Sequence, residues 1–231
     1  EICACLVGSE MCIRDRFMVA FPFVLSAQSA GELLQKVSAA LSEGQDDYAV
    51  SLFRQSIKAG ADQTEMFYWT QVEKNSAVAP RLVNELATYY KRKRNYDKAY
   101  LFYREFLQYH SDDVPALVSC AEMEMMRGKE KDAVKTYEKV LILDANNLQA
   151  NIFLGNYFYL QAEREKKKLE DDYKKITSPT RMQYASYEWE KNRILDTDFR
   201  EAASYLEKAD KQYTTPYLRK TLYSIYTRLA E

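Results

Sequence analysis

The sequence predicts an all-α fold, a solenoid of antiparallel helix pairs, and three observations predict it. Leu86-Ala87, Ala99 and Tyr103 are matched 34 positions later by Cys120-Ala121, Ala133 and Tyr137, and Leu154-Gly155 opens a third copy on schedule. A fixed spacing of this size marks a repeat whose units stack to bury a shared core. The 231 residues hold only 6 Gly and 5 Pro against 19 Tyr, so helix breakers are few and aromatics plentiful. Apolar residues recur at three- and four-residue steps, the pattern of one buried helix face.

Residues 31–79 read as degenerate N-terminal helical repeats. Stretches 32–41 and 48–57 form an amphipathic pair with Gly44 in the turn, and 66–72 is a further short helix. The first clear copy is 80–113. Its helix A, 80–92, buries Val83, Leu86, Ala87 and Tyr90, with Pro80 in the first turn, where its missing N–H costs nothing. Its helix B, 96–109, buries Ala99, Tyr103, Phe106 and Leu107. The copy at 114–147 supplies Leu117, Cys120 and Ala121, then Ala133, Tyr137, Val140 and Leu141, with Gly128 in its turn.

The third copy, 148–213, has Leu154, Gly155 and Phe158 in register, but its helix B is recognisable only around Ala202, Leu206 and Ala209. Ala202 arrives about 35 residues late for a 34-residue repeat, which places a helical hairpin insert at about 163–195. Ala162, Leu169, Tyr173 and Ile176 mark its outgoing helix, and Met182, Ala185 and Trp189 its return. Ser178-Pro179 predicts an N-cap and first-turn Pro, and Asp198 with Glu201 a capping box for the resumed helix B. Pro216 starts a last capping helix in 214–231.

A 34-residue helix-turn-helix with small residues at its contacts and an aromatic four beyond the second resembles the tetratricopeptide repeat (TPR). Only Ala87/Ala121, Ala99/Ala133, Tyr103/Tyr137 and Leu107/Leu141 are identical between the two full copies, and all are packing positions. The family's early helix A Trp is replaced by Val83, Leu117 and Asn151, and its closing Pro by Ser111 and Ala145. The resemblance is to TPR proteins of the exported bacterial type.

The N-terminus divides into an adapter-like segment and a leader-like one. Residues 5–16 (CLVGSEMCIRDR) resemble translated sequencing-adapter DNA, so 1–16 are set aside as an adapter-derived artefact. In 17–30, the apolar run 17–25 followed by small residues reads as a signal peptide remnant, too short to span a bilayer. An exported, periplasmic or secreted bacterial protein is therefore expected, or a cytoplasmic one if 17–30 is not a leader. Gln28 stands where a lipoprotein box would carry Cys, which disfavours a lipid anchor.

Composition narrows the function classes. Beyond residue 30 the chain carries 31 acidic and 31 basic residues, without the basic excess of a nucleic-acid binder. Cys120 is the one cysteine left there, so no disulfide framework or Cys-based metal site is expected. His110, the single histidine, falls at a helix end beside Asp112-Asp113, where a solvated side chain is the simplest reading. Asp112-Asp113 and Asp171-Asp172 lack the alternating oxygen ligands of a calcium loop. No phosphate loop or nucleophile elbow is present. No catalytic residue, cofactor or metal is expected, and an enzyme is disfavoured.

In TPR proteins, helix A positions 2, 5, 9, 12 and 13 line a concave groove. The resemblance thus implies partner contacts at Arg81, Asn84, Thr88, Lys91 and Arg92, then Glu122, Met125 and Met126, then Asn156 and Tyr159. Gln149, Ile152 and Leu160 occupy equivalent positions. TPRs that clamp a C-terminal carboxylate carry Lys at position 5 and Asn at 9, and Asn84 and Thr88 do not match. The expected function is a non-catalytic scaffold for a protein or peptide ligand. The alternative is a structural accessory subunit of a bacterial envelope or secretion assembly, docking through the 163–195 hairpin.

Overall fold

The computed structural model describes residues 29–230, and every described element is helical. Three helices precede the clear repeats: α1 (Ala30–Ser42), α2 (Asp46–Ala59) and α3 (Ala61–Gln71). The repeats follow as α4 (Ala79–Arg92) with α5 (Tyr96–Tyr109), α6 (Val114–Met126) with α7 (Glu130–Leu143), and α8 (Leu148–Lys174) with α10 (Arg200–Gln212). Between the last two lies α9 (Arg181–Ile194), and α11 (Pro216–Leu229) closes the array. Each repeat pair packs on itself and then on the next, α5 against α6 and α7 against α8, which is the stacking of a TPR-type solenoid. The adapter-like and leader-like segments lie outside the described residues, apart from Ser29, which caps α1 at the Glu32 amide, and Ala30, which is buried.

Local chemistry explains the helix ends. Asp113, Asn147 and Thr215 accept the backbone N–H of Ala116, Ala150 and Leu218, fixing the starts of α6, α8 and α11. The turns α1–α2, α4–α5 and α6–α7 share one closure. Gly44, Arg94 and Gly128 sit at positive φ, and the next residue's N–H returns to the carbonyl of Ala40, Tyr90 or Glu124. This is the Schellman motif, which needs a left-handed residue and so favours Gly. Arg94 meets the same geometry at the cost of a side chain.

Small residues then set the helix spacing. Ala87, Ala99, Ala121, Ala133 and Ala202 are fully buried at contacts within and between pairs. Gly155 is tighter still: a Cβ built there would lie 2.5 Å from Cγ and Cδ2 of Leu206 across the α8–α10 contact. Around these contacts Phe53, Tyr68, Leu82, Leu86 and Phe102 fill the N-terminal core, and Leu154, Ile194, Phe199 and Leu206 the C-terminal one. Each such side chain stabilises the fold by roughly 1.5–3 kcal/mol. Cys120 and Met123 are part of this core, and burial pushes the Cys120 thiol up to about 12, leaving it protonated and inert.

Two capping expectations are corrected. The hairpin's return helix starts at Arg181, two residues later than Ser178-Pro179 predicts. Thr180 is the N-cap, exchanging hydrogen bonds with Gln183 in a capping box. No cap forms at Asp198, because α9 does not end: it runs through a π-helical turn, Leu195–Phe199, straight into α10. With residues before it already helical, Asp198 has no free helix start to cap. It accepts from the Thr197 hydroxyl and lies 3.8 Å from Arg193. The insert is therefore an extension of both helices of the third repeat, stitched by Tyr173 stacked on Tyr187 at 4.2 Å. The short helix expected at 66–72 is the second half of α3.

Candidate functional site

A cleft of about 690 Å³ lies between α6 and α7 on one side and α8 and α11 on the other. Its floor is aromatic. The Tyr137 and Phe153 rings lie 4.5 Å apart, and Phe153 stacks on Tyr157 at 6.3 Å. Burial, with Glu122 and Glu124 nearby, raises the Tyr137 phenol far above neutrality, so it stays uncharged. Met125 and Leu160, each about half exposed (46% and 51%), extend this apolar surface to solvent.

The rim is polar and mostly tied down. Glu122 accepts from Lys91 through one oxygen and from Gln149 through the other, and Lys91 also donates to Ser119. Asn156 donates to the Ile152 carbonyl and lies 3.3 Å from the Tyr217 hydroxyl, which links α8 to α11 across the cleft mouth. Lys131 and Arg164 also line the cleft.

Of the groove residues implied by sequence, Glu122, Met125 and Asn156 meet in this cleft, as do Gln149, Ile152 and Leu160. Lys91 reaches its edge through Glu122. Arg81 instead pairs with Asp47 of α2, Asn84 is exposed and Thr88 half-buried, and none of the three lines the cleft. Arg92 is exposed and makes no ion pair among the described residues. Met126 faces a separate shallow depression beside Lys93, Asp97 and Arg127. Tyr159 turns away from the cleft, half-buried edge-on against Phe199 in the core beneath α11.

Sequence reasoning missed Tyr137, Phe153, Tyr157, Arg164 and Tyr217. One signal was present: residues 153, 156, 157, 160, 161 and 164 follow the i, i+3, i+4, i+7, i+8, i+11 pattern of a single helical stripe. That stripe is visible only if α8 is continued past the normal end of a repeat's first helix. Among the described residues, no cluster of His, Cys, Asp or Glu could hold a metal ion, and no helix is long and apolar enough to cross a membrane. His110 is exposed at the end of α5 beside Phe106, and Asp113 is used as a helix cap.

No family model matches the chain, and no curated protein matches it. A crystal structure from Bacteroides ovatus, described as a candidate protein-binding protein, is 53% identical over 87% of this chain and 98% of that one, with a TM-score of 0.78. The chain belongs to that protein's family. A tetratricopeptide repeat protein from Parabacteroides merdae is 17% identical over 88% of this chain and 74% of its own, with a TM-score of 0.39. The TPR assignment of this family member rests on its repeat period, its paired helices and its small-residue contacts.

Proposed function

We propose that the chain is a non-catalytic scaffold that binds a protein or peptide on the concave face of its solenoid, with the α6–α8 cleft as the principal pocket. The observation that carries this reading is the aromatic floor left open between Met125 and Leu160 under a polar rim. Concave, largely apolar sites with a few fixed polar groups are where proteins hold ligands. An amphipathic segment laid into such a groove buries its apolar face while its polar face stays wet. The description of the Bacteroides ovatus relative as a candidate protein-binding protein supports the same class of function. Export from a bacterial cell belongs to this reading through the apolar run 17–25, and fractionation of the native cell tests it.

A second reading places docking on the α8–α9 arm, favoured by the exposure there of Met182 (84%) and Trp189 (67%). Selection of a random 12-residue display library on the folded chain separates the two. Selected peptides should lose binding to a Met125→Gln, Leu160→Gln variant and keep it with Met182→Ser, Trp189→Ser. The opposite outcome moves the site to the arm, and peptides indifferent to both pairs refute both surfaces.

A further inference from the structure

We infer that the cleft takes a segment carrying acidic residues beside its apolar ones, gripped between Lys131 and Arg164; this deepens the scaffold reading and rests on it. The charges around the cleft are unequally committed. Glu122 is ion-paired with Lys91 through one oxygen, which offsets its charge, and the Gln149 amide lies 3.5 Å from the other. Lys131, at the start of α7, and Arg164, on α8, are exposed, line the cleft and make no ion pair or hydrogen bond among the described residues. On the arm just beyond, Lys174, Lys175 and Arg193 are paired with Asp171, Asp172 and Glu190, while Lys167 and Lys168 are exposed without an ion pair among the described residues and do not line the cleft. Glu130 is the remaining acid of the lining. It stands in the first turn of α7, where the helix N-terminus favours a negative charge. Two uncommitted cations thus face one acid that its own helix already stabilises.

Position reinforces charge. Arg164 ends the stripe that begins at Phe153, a separation of 11 residues and so about 16 Å along the α8 axis. Lys131 lines the same cleft from α7, six residues before Tyr137, whose ring contacts Phe153. A helical segment of about three turns, apolar along one face and carrying acids, covers the length of lining from Phe153 to Arg164. The extension of α8 into the arm supplies Arg164, so this cation of the site exists only because of the insert.

The test uses three fluorescent 12-residue amphipathic peptides with identical Leu and Phe positions and flanks of Glu, Gln or Lys, titrated by anisotropy onto the whole chain. The Glu form should bind about tenfold more tightly than the Gln form at low ionic strength, the Lys form most weakly, and the gap should narrow with added salt. A Lys131→Gln, Arg164→Gln variant, checked for an unchanged melt, should lose the preference. Equal or better binding of the Lys form, or a Glu preference that survives the double variant, overturns the inference. If the Gln form binds in a manner dependent on Met125 and Leu160 but without acid preference, the scaffold reading stands and this inference alone falls. If no form binds, or binding ignores Met125→Gln, Leu160→Gln, both fall.

Discussion

Replacing Gly155 by Ala sets two effects of opposite sign against each other. Glycine inside a helix costs about 1 kcal/mol relative to alanine, so the substitution in α8 would stabilise an isolated helix. In the protein the new Cβ would lie 2.5 Å from Cγ and Cδ2 of Leu206 and 3.2 Å from its backbone nitrogen. Leu206 is fully buried, so it cannot swing into solvent, and α8 and α10 must part slightly. Overpacking of this kind costs roughly 1–3 kcal/mol, leaving a net loss of about 0–2 kcal/mol. For a chain of this length each kcal/mol lowers Tm by about 2–4 °C in a thermal melt followed by circular dichroism. Gly31→Ala provides the control, because its Cβ would meet nothing within 4 Å and Tm should rise. Leu206→Ala alone should cost about 2–5 kcal/mol, and in that background Gly155→Ala should turn stabilising. If Gly155→Ala raises Tm equally with and without Leu206, the close α8–α10 approach is refuted.

Ala133→Leu, at a fully buried contact of the second repeat, should cost roughly 1–3 kcal/mol by overpacking, and an unchanged melt would reject the repeat register. Arg94→Gly should raise stability by up to about 1 kcal/mol in denaturant titrations, since relief of the left-handed strain at φ 58 exceeds the extra unfolded-state entropy of glycine. Burial raises the Glu124 carboxyl above its ordinary 4.5, outweighing the Thr136 hydrogen bond that favours the charge. Its contribution is therefore fully present below about pH 4.5 and is lost as pH rises through the folded value. The melting temperature of the parent relative to Glu124→Gln should fall between pH 4.5 and 7, and a difference that is flat or rises would contradict the burial effect.

The repeat was legible because the residues that fix it are unusual. Alanine at 99 and 133 and glycine at 155 stand where helices touch, and their smallness survives in the sequence whatever surrounds them. Caps were less legible, because a cap depends on whether the preceding residues are helical. Asp198 and Glu201 have capping-box spacing, yet the chain before them is α9, and Thr180-x-x-Gln183 carried the working box unnoticed behind Ser178-Pro179. The cleft was only half legible. Repeat positions located Glu122, Met125 and Asn156, but Tyr217 joins them through the docking of α11, and Arg164 through an α8 longer than the repeat requires. Tyr159 shows the reverse: its repeat position points to the groove, while α11 and the π-helical turn offer it Phe199 to pack against.

The unbroken course of α8 has a mechanical consequence. At 27 residues it is a rod of about 40 Å whose first half floors the cleft and whose second half forms one rail of the arm. The other rail, α9, enters α10 through a π-helical turn with no loop to absorb motion. The arm is therefore a cantilever whose root is the buried packing of Ala162 against Ile194 and Phe199. A load on its tip is delivered as torque to that root, on the same unbroken helix whose first half lines the cleft.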